Sequence, residues 1–156
     1  MSPNLRAEIK QTKPFKSLEE ETALNIERTA AVLSHAFAEG IKAYGITPTQ
    51  YNVLRILRGA GSHGLCRNEV RDRLIAQVPD VTRLLDRLED SGLIERERST
   101  ADRRLVSTRI TTAGLALLRT LDEPVQDMLK RGLGHMTDKQ LKTLSELLTL
   151  ARDATI

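Results

Sequence analysis

The chain has 156 residues and a net charge of +3 at pH 7, with 24 Lys and Arg against 21 Asp and Glu. This length fits one domain with its own core, and the mildly basic charge permits nucleic-acid binding without requiring it. Aromatic residues make up 3% and Trp is absent, so the core must be aliphatic, which favours helices. The single cysteine, Cys66, excludes an internal disulfide. Because no apolar run could span a bilayer and the N-terminus lacks a signal-peptide core, we expect a cytoplasmic protein that has no membrane partner.

The first long helix is predicted to begin after residue 16. Residues 1–16 lack apolar periodicity and are predicted to be an extended arm. Ser17 and Glu20 have the spacing of a capping box, and Gly45 is predicted to end the helix. The apolar stripe between them follows helical spacing and consists of Ile26, Ala30, Leu33, Phe37, Ile41 and Tyr44.

A second helix has a sharper start signal. Thr47 is an N-cap residue, Pro48 takes the first helical position and Gln50 completes a capping box, while Ile46 can pack onto the first turn. This helix is expected to run to about residue 58. Its inward positions are Val53, Leu54 and Leu57.

Two further helices follow a glycine-containing loop. Cys66, Val70 and Leu74 predict a short helix, and its partner is predicted to begin near Pro79 and to end at Gly92 in a left-handed C-terminal cap. The apolar face of this partner helix repeats at steps of three and four and consists of Val81, Leu84, Leu85 and Leu88. The opposite face carries Thr82, Arg83, Asp86 and Arg87.

A short hairpin is predicted next, from residues 93–98 and 106–110 with a polar loop over residues 99–104. A helix with an arginine-bearing outer face, followed by a hairpin with an arginine-bearing tip, is the layout of a winged helix-turn-helix. In that layout the helix enters the major groove of DNA and the hairpin reaches a neighbouring minor groove.

Two C-terminal helices complete the chain. The first carries a long apolar stripe from Leu115 to Met128, and Pro124 within it predicts a kink. The second has another capping box, formed by Thr137 and Gln140. Its stripe consists of Leu141, Leu144, Leu147, Leu148 and Ala151.

At two segments the sequence resembles the MarR family of transcriptional regulators. One is residues 81–96, VTRLLDRLEDSGLIER, and the other is the wing, residues 102–111. The family's wing pattern (Asp, any, Arg, three of any, Val, any, Leu, Thr) corresponds here to Asp102, Arg104, Thr108, Ile110 and Thr111, with Thr in the Val place and Ile in the Leu place.

The predicted fold class is therefore mainly α with a small β wing. A winged helix-turn-helix lobe over residues 47–111 is flanked by terminal dimerisation helices over residues 17–45 and 112–153, within a single domain of residues 1–156. Such apolar terminal helices need a surface to pack on, and a second subunit in a two-fold homodimer supplies it. A palindromic operator requires the same two-fold symmetry. The resemblance implies the same homodimer. The alternative is that these helices cover the core of their own subunit.

The candidate DNA-binding residues lie on the second helix of the pair and on the wing. Arg83 and Thr82 are placed to reach base edges, with Arg87 one turn further on, although all three would also suit a solvated helix face. Pro79 and Asp80 depart from the family's Ser/Thr-rich opening, and Asp80 is better explained as a helix start.

On the wing, the resemblance implies that Arg104 enters the minor groove and that Asp102 braces it. A narrow A·T-rich groove has a negative potential that attracts such a guanidinium. Arg103 is a candidate phosphate contact. Arg96, Arg98 and Arg109 are weaker candidates for the same role.

A ligand site is implied by the resemblance, where the terminal helices meet the DNA-reading lobe. Its expected ligands are aromatic carboxylates or phenolic compounds, although ordinary core packing is the better explanation for any one of these residues. The candidate lining residues are Phe37, Ile41, Tyr44, Tyr51 and Leu54.

Other chemistry is weakly indicated. Cys66 continues an apolar stripe, so a buried small side chain is favoured over a redox sensor. His35, His63 and His135 are too dispersed for a metal site. Because glycine-rich phosphate loops, nucleophile elbows and metal-ligand clusters are missing from the sequence, we predict neither an enzyme nor a cofactor.

The predicted function is a homodimeric repressor of a palindromic operator. A small ligand would release it from DNA by favouring a dimer whose two recognition helices are misspaced for one face of the duplex. Two alternatives are a winged-helix module that binds protein, and a redox-sensing regulator that acts through Cys66.

Overall fold

The structure is a computed structural model that describes residues 4–102 and 105–153. In chain order the elements are α1 (Leu5–Glu8), α2 (Leu18–Ile41), α3 (Pro48–Ala60), α4 (Arg67–Arg73), α5 (Val81–Asp90), β1 (Ile94–Arg98), β2 (Val106–Ile110), α6 (Thr112–Leu133) and α7 (Asp138–Asp153). The prediction of a mainly helical chain with one small hairpin is confirmed.

Local signals set the boundaries of the central helices. The N–H of Gln50 donates to Thr47 Oγ1 (3.2 Å) and the N–H of Thr47 donates to Gln50 Oε1 (3.0 Å), which confirms the capping box of α3. Gly45 and Gly92 adopt φ of 75° and 71°, conformations that glycine accepts without a steric cost. They follow the turn after α2 and the end of α5, as predicted.

The core lies under α3, α5, the base of the hairpin and the first half of α6. Most of its members are aliphatic, as the composition requires. The side chains that are less than 2% exposed are Ile41, Val53, Leu54, Leu57, Val70, Leu85, Leu88, Ile94, Thr108, Leu118 and Leu121.

The hairpin is anchored at its base by a third segment of chain. β1 and β2 pair antiparallel, with Ile94 opposite Ile110 and Arg98 opposite Val106. Leu65, just before α4, forms a bridge with Thr108: the two residues exchange N–H···O bonds of 2.9 and 2.8 Å. The wing is therefore attached to the loop that precedes the helix-turn-helix.

The terminal helices contrast with this core. α2 has 24 residues and buries only Ile41, and α7 has 16 residues and buries none. Large apolar side chains remain exposed on both, among them Val32 (50%), Leu147 (56%) and Leu150 (66%). The capping box that begins α7 is present as predicted.

Three predictions of detail are corrected. The N-terminal arm is not wholly extended, since Asn4 caps the single turn α1 and Leu5 is 5% exposed. α3 continues two residues beyond the predicted end. Cys66 precedes α4 as its N-cap residue instead of lying within it.

α6 runs without interruption through Pro124, and the predicted kink stays a prediction. Among the residues that the structure describes, no helix is long and apolar enough to cross a membrane.

Candidate nucleic-acid interface

α4 and α5 form a helix-turn-helix whose inner faces are locked into the core. Val70 of α4 is fully buried, and Leu85 and Leu88 of α5 are at most 1% exposed. The buried residues of α5 recur at helical spacing, so its remaining face must point outward. The result is a helix with one orientation and a polar outer surface.

The start of α5 is set by Asp80, whose Oδ1 accepts a hydrogen bond from the N–H of Arg83 at 2.9 Å. The helix-starting role predicted for Asp80 is confirmed, because the carboxylate satisfies one of the free N–H groups of the first turn. Both Pro79 and Asp80 are exposed. They border a shallow cleft that also contains Arg83 and Arg87.

The outer face of α5 presents two arginines to solvent. Arg83 and Arg87 are exposed, lie one turn apart, and form no side-chain hydrogen bond or ion pair within residues 4–102 and 105–153. Thr82 differs, because its Oγ1 accepts a bond of 3.2 Å from Nη1 of Arg67 at the start of α4. Arg67, which was not among the residues predicted from the sequence, joins the same surface through this contact.

Arg96 occupies a different position from the one predicted. Its Nη2 lies 2.6 Å from Asp86 Oδ1 and its Nε lies 2.9 Å from Glu89 Oε2. The backbone N–H of Arg96 also donates to Glu89 Oε1 at 3.1 Å. Arg96 therefore joins β1 to α5 and is held away from the outer surface, which argues against its predicted role as a phosphate contact.

The electrostatics of this cluster follow from its hydrogen bonds. Hydrogen bonding to Arg96 lowers the pKa of Glu89 below its ordinary value, and partial desolvation opposes that shift. The bond to Glu89, followed by the bond to Asp86, raises the pKa of Arg96 despite desolvation. Glu89 and Arg96 are thus both charged at neutral pH.

The loop of the wing is organised around Ser99. Its Oγ accepts from the N–H groups of Ala101 (3.2 Å) and Asp102 (3.3 Å). Its own N–H donates to the carbonyl of Leu105 at 2.8 Å. Asp102 is exposed at the tip, whereas the candidates Arg103 and Arg104 lie outside the described residues. Ser99 was not among the residues predicted from the sequence, although Ser is a common residue in turns.

The other arginines of the hairpin divide into two kinds. Arg109 Nη1 is paired with Glu97 Oε2 across the strands at 3.1 Å. Arg98 is exposed and has no side-chain partner in the described part of the chain. Of these two weaker candidates, Arg98 is the one that remains available to a phosphate.

The residues proposed for a ligand site differ in their surroundings. The rings of Phe37 and Tyr51 lie 5.4 Å apart, but Ile41 and Leu54 are fully buried in the core and Tyr44 is 36% exposed. Phe37 does border a cleft of about 290 Å³ between α2 and α6. The other residues around this cleft include Leu33, Gly40, Met128, Arg131 and Gly132.

Cys66 and the histidines form no metal cluster. Cys66 is half-buried, and its backbone N–H donates to Glu69 Oε2 at 2.8 Å at the start of α4. Over residues 4–102 and 105–153, no group of three His, Cys, Asp or Glu side chains is placed to hold a metal ion.

Helix-turn-helix, hairpin and flanking long helices together define the class of winged helix-turn-helix proteins. A family model described as "MarR family" matches residues 46–106. The HTH-type transcriptional regulator PrsX of Escherichia coli is 33% identical over 100 residues, which are 64% of this chain and 60% of PrsX. The chain thus matches about three fifths of the length of this curated relative.

Similarity to solved structures extends over more of the chain. A MarR transcription factor from Planctomyces limnophilus is 39% identical with a TM-score of 0.68, and the match covers 88% of this chain and 99% of that one. A mutant MarR from Escherichia coli, complexed with operator DNA, is 26% identical with a TM-score of 0.77 over 88% and 99% of the two chains. The chain belongs to the MarR family. These relatives are transcription factors and not enzymes, as predicted.

Proposed function

We propose that this protein is a DNA-binding transcriptional regulator that acts on a palindromic site as a homodimer. The observation that carries the proposal is the outer face of α5, where Arg83 and Arg87 are exposed and form no side-chain pair within the described residues, while the inner face is buried in the core. Because its proposed partner is chromosomal DNA, we propose a cytoplasmic location for the protein.

In this proposal α5 lies in a major groove. Arg83, near the start of the helix, is placed to form a forked pair with a guanine, which is worth about 1–3 kcal/mol of discrimination. Arg87 and Arg98 supply charge to phosphates, which fix the register but carry no sequence information. Thr82 is already oriented by its bond with Arg67, so it can accept or donate at a base edge.

The wing reaches the flanking minor groove through Arg104, braced by Asp102, as the family resemblance implies. Arg103 is assigned a phosphate contact. We expect Arg104→Ala to weaken operator binding by about 1–3 kcal/mol, the typical loss of a groove contact.

The homodimer is supported by the apolar terminal helices. α7 buries no residue in its own chain, and the exposed leucines on it have the spacing of a helix–helix contact. Dimerisation would place two copies of α5 about one helical turn of DNA apart, as a palindrome requires.

Repression relieved by a small ligand is the finer part of the proposal. The cleft between α2 and α6 is mainly apolar, with Phe37 on one wall and the cation of Arg131 nearby. These groups suit an aromatic carboxylate. Since the cleft lies between the proposed dimer helices, a ligand there would favour one spacing of the two DNA-reading lobes.

The test begins with binding selection from a random-sequence duplex pool, followed by titration of the enriched duplex at two salt concentrations. We expect one dimer on a palindrome and an affinity that falls steeply with salt. Arg83→Met should reduce the preference for the enriched site, whereas Arg119→Met, an exposed arginine of α6, should leave it unchanged.

Two results would contradict the proposal. Equal affinity for enriched and random duplex would remove sequence-specific regulation. A lack of duplex binding at either salt concentration would instead favour a winged-helix module that binds protein. For the ligand, release of the duplex by millimolar benzoate in wild type but not in Arg131→Met would support the α2–α6 cleft.

A further inference from the structure

The cluster of Arg96, Asp86 and Glu89 joins the two elements that are proposed to read DNA. We infer that Arg96 is a positioning residue that sets the angle between the wing and α5, so that both elements engage one duplex as a rigid unit. The inference rests on the proposed function and adds a residue that does not itself contact DNA.

The α5 side of the cluster is rigid. Asp86 and Glu89 are three residues apart and therefore lie on the same side of the helix. Val81, Leu85 and Leu88 hold that helix in the core, so the two carboxylates occupy defined positions. Because the planar guanidinium of Arg96 bonds to both carboxylates, its position relative to α5 is fixed at two points.

The strand side is fixed through main chain as well as side chain. Arg96 lies opposite Thr108 in the hairpin, and Thr108 is bonded to Leu65 outside the hairpin. The N–H of Arg96 donates to Glu89 Oε1 at 3.1 Å, so the backbone of β1 is tied to α5. The Arg96 side chain is only 23% exposed, whereas Asp86 and Glu89 are 50% and 37% exposed, so salt screens these ion pairs in part.

The hairpin needs such a contact. An isolated two-stranded hairpin is marginally stable in water, and this one extends beyond Arg96 to a tip that must meet a groove. A small change of angle at its base becomes a larger displacement at the tip. The bridge between Leu65 and Thr108 holds one side of the base, and Arg96 holds the side that faces α5.

A direct phosphate contact is the competing role for Arg96, and the two roles predict opposite effects at Glu89. If Arg96 positions the wing, Glu89→Gln weakens binding because it removes an anchor. If Arg96 contacts DNA, removing a negative charge beside it strengthens binding. Glu89→Gln and Arg96→Met are therefore measured together, because only the positioning role predicts weaker binding for both.

The experiment uses the full-length protein and two duplexes derived from the enriched site. The long duplex includes the flanks under the wings, and the short duplex ends before them. Wild type, Arg96→Met, Glu89→Gln and Arg98→Met are titrated on both duplexes over a range of salt concentrations. Hydrogen exchange of the amides of β1 and β2 reports the wing directly, without DNA.

We expect wild type to prefer the long duplex by at least about tenfold, the scale of one lost groove contact. Arg96→Met and Glu89→Gln should reduce this ratio to within about threefold and speed hydrogen exchange in the hairpin, with affinity for the short duplex retained. On the short duplex, which the wing does not reach, Arg96→Met should leave the salt slope unchanged, whereas on the long duplex Arg98→Met should lower it by about one per lost phosphate contact. Arg96→Lys, which keeps the charge but lacks the fork, should be intermediate.

An unchanged ratio in Arg96→Met, tighter binding by Glu89→Gln, or a reduced salt slope of Arg96→Met on the short duplex would each overturn the positioning role. Equal loss on both duplexes would also overturn it, because that result indicates damage to α5 itself. Failure of wild type to bind any duplex would overturn the proposed function instead, and the two failures are therefore distinguishable.

Discussion

The helices α5 and α7 carry similar apolar stripes but have opposite surroundings. α5 has ten residues, of which Val81, Leu85 and Leu88 are buried. α7 has 16 residues, none of them buried, and its Leu147 and Leu150 are more than half exposed. The same apolar pattern is thus buried by the rest of the chain in α5 and left largely exposed in α7.

The difference shows that helical periodicity identifies an apolar face but not its partner. For α5 the partner is the core of its own lobe. For α7 and most of α2 the apolar surface remains exposed, and exposed apolar patches of this kind mark association sites. Of the two partners considered for the terminal helices, the proposed second copy of the chain would cover these exposed residues, while the first half of α6 does cover its own core through Leu118 and Leu121.

The largest effect is expected from truncating one leucine in each region. Leu88→Ala removes a fully buried side chain and should lower the free energy of unfolding by about 2–5 kcal/mol at any protein concentration. Leu147→Ala should lower the free energy of unfolding of the monomer by less than about 0.5 kcal/mol. A larger loss of stability is expected only at protein concentrations at which dimers form. Urea denaturation at two protein concentrations separates these cases, and equal losses would show that α7 belongs to the monomer core.

The proposed dimer is tested by placing charge on the exposed face of α7. Leu147→Asp combined with Leu150→Asp should raise the dimer dissociation constant by at least about 100-fold, since each buried leucine contributes about 1.5–3 kcal/mol. Sedimentation velocity measures the change. The control pair Ser145→Asp and Thr149→Asp lies on the opposite face, and a loss of dimer in the control alone would reverse the assignment of faces.

Close packing between the wing and α6 is tested at a glycine. A Cβ at Gly114 would lie 2.3 Å from the carbonyl oxygen of Leu93, so Gly114→Ala should destabilise by about 1–3 kcal/mol through overpacking. Gly59→Ala in α3 meets nothing within 4 Å and should stabilise by about 0.5–1 kcal/mol. Thermal unfolding of both variants gives the signs, and equal signs would contradict the described packing.

Two capping boxes, one at the start of α3 and one at the start of α7, allow the same substitution in the core and outside it. Thr47→Ala should lower global stability by about 1 kcal/mol, the typical worth of an N-cap, because α3 is part of the core. Thr137→Ala should fray only the first turn of α7 and leave the global transition of the monomer unchanged. Hydrogen exchange distinguishes local from global opening, and a global effect of Thr137→Ala would argue that α7 is integral to the fold.

The smallest effect concerns the pH dependence of the cluster. The pKa of Glu89 is lowered from its ordinary value of 4.5 in the folded protein, so its contribution is fully present above pH 4.5 and is lost as the pH falls through the lowered pKa. Glu89→Gln should therefore cost about 0.5–1 kcal/mol at pH 7 and progressively less on acidification. Denaturation at a series of pH values checks this trend, and a cost that grows in acid would refute it.

Residues close in sequence allowed much of the fold to be predicted. The box of Thr47 and Gln50, the cap at Gly92 and the two short strands of the hairpin depend on neighbours within a few positions, so each could be located without the structure. The outer face of α5 followed in the same way, because the burial of three leucine and valine positions leaves the arginines on the other side.

Contacts between distant segments could not be predicted in this way. In the sequence, Arg96 is a candidate DNA contact because it is a cationic side chain on a wing strand. In the structure it instead contacts carboxylates seven and ten residues earlier, because β1 folds back along α5. The bridge between Leu65 and Thr108, the burial of Leu5 and the narrow space at Gly114 likewise depend on how separate elements meet.

The sequence by itself determined which helices and strands form and which faces of them are apolar, since these properties arise from hydrogen bonding and periodicity over one or two turns. Only the tertiary structure decided which arginines are consumed by ion pairs and which apolar faces are left without a partner. The physical reason is that charge pairing and burial depend on distances across the fold, and those distances are set by the packing of all elements together.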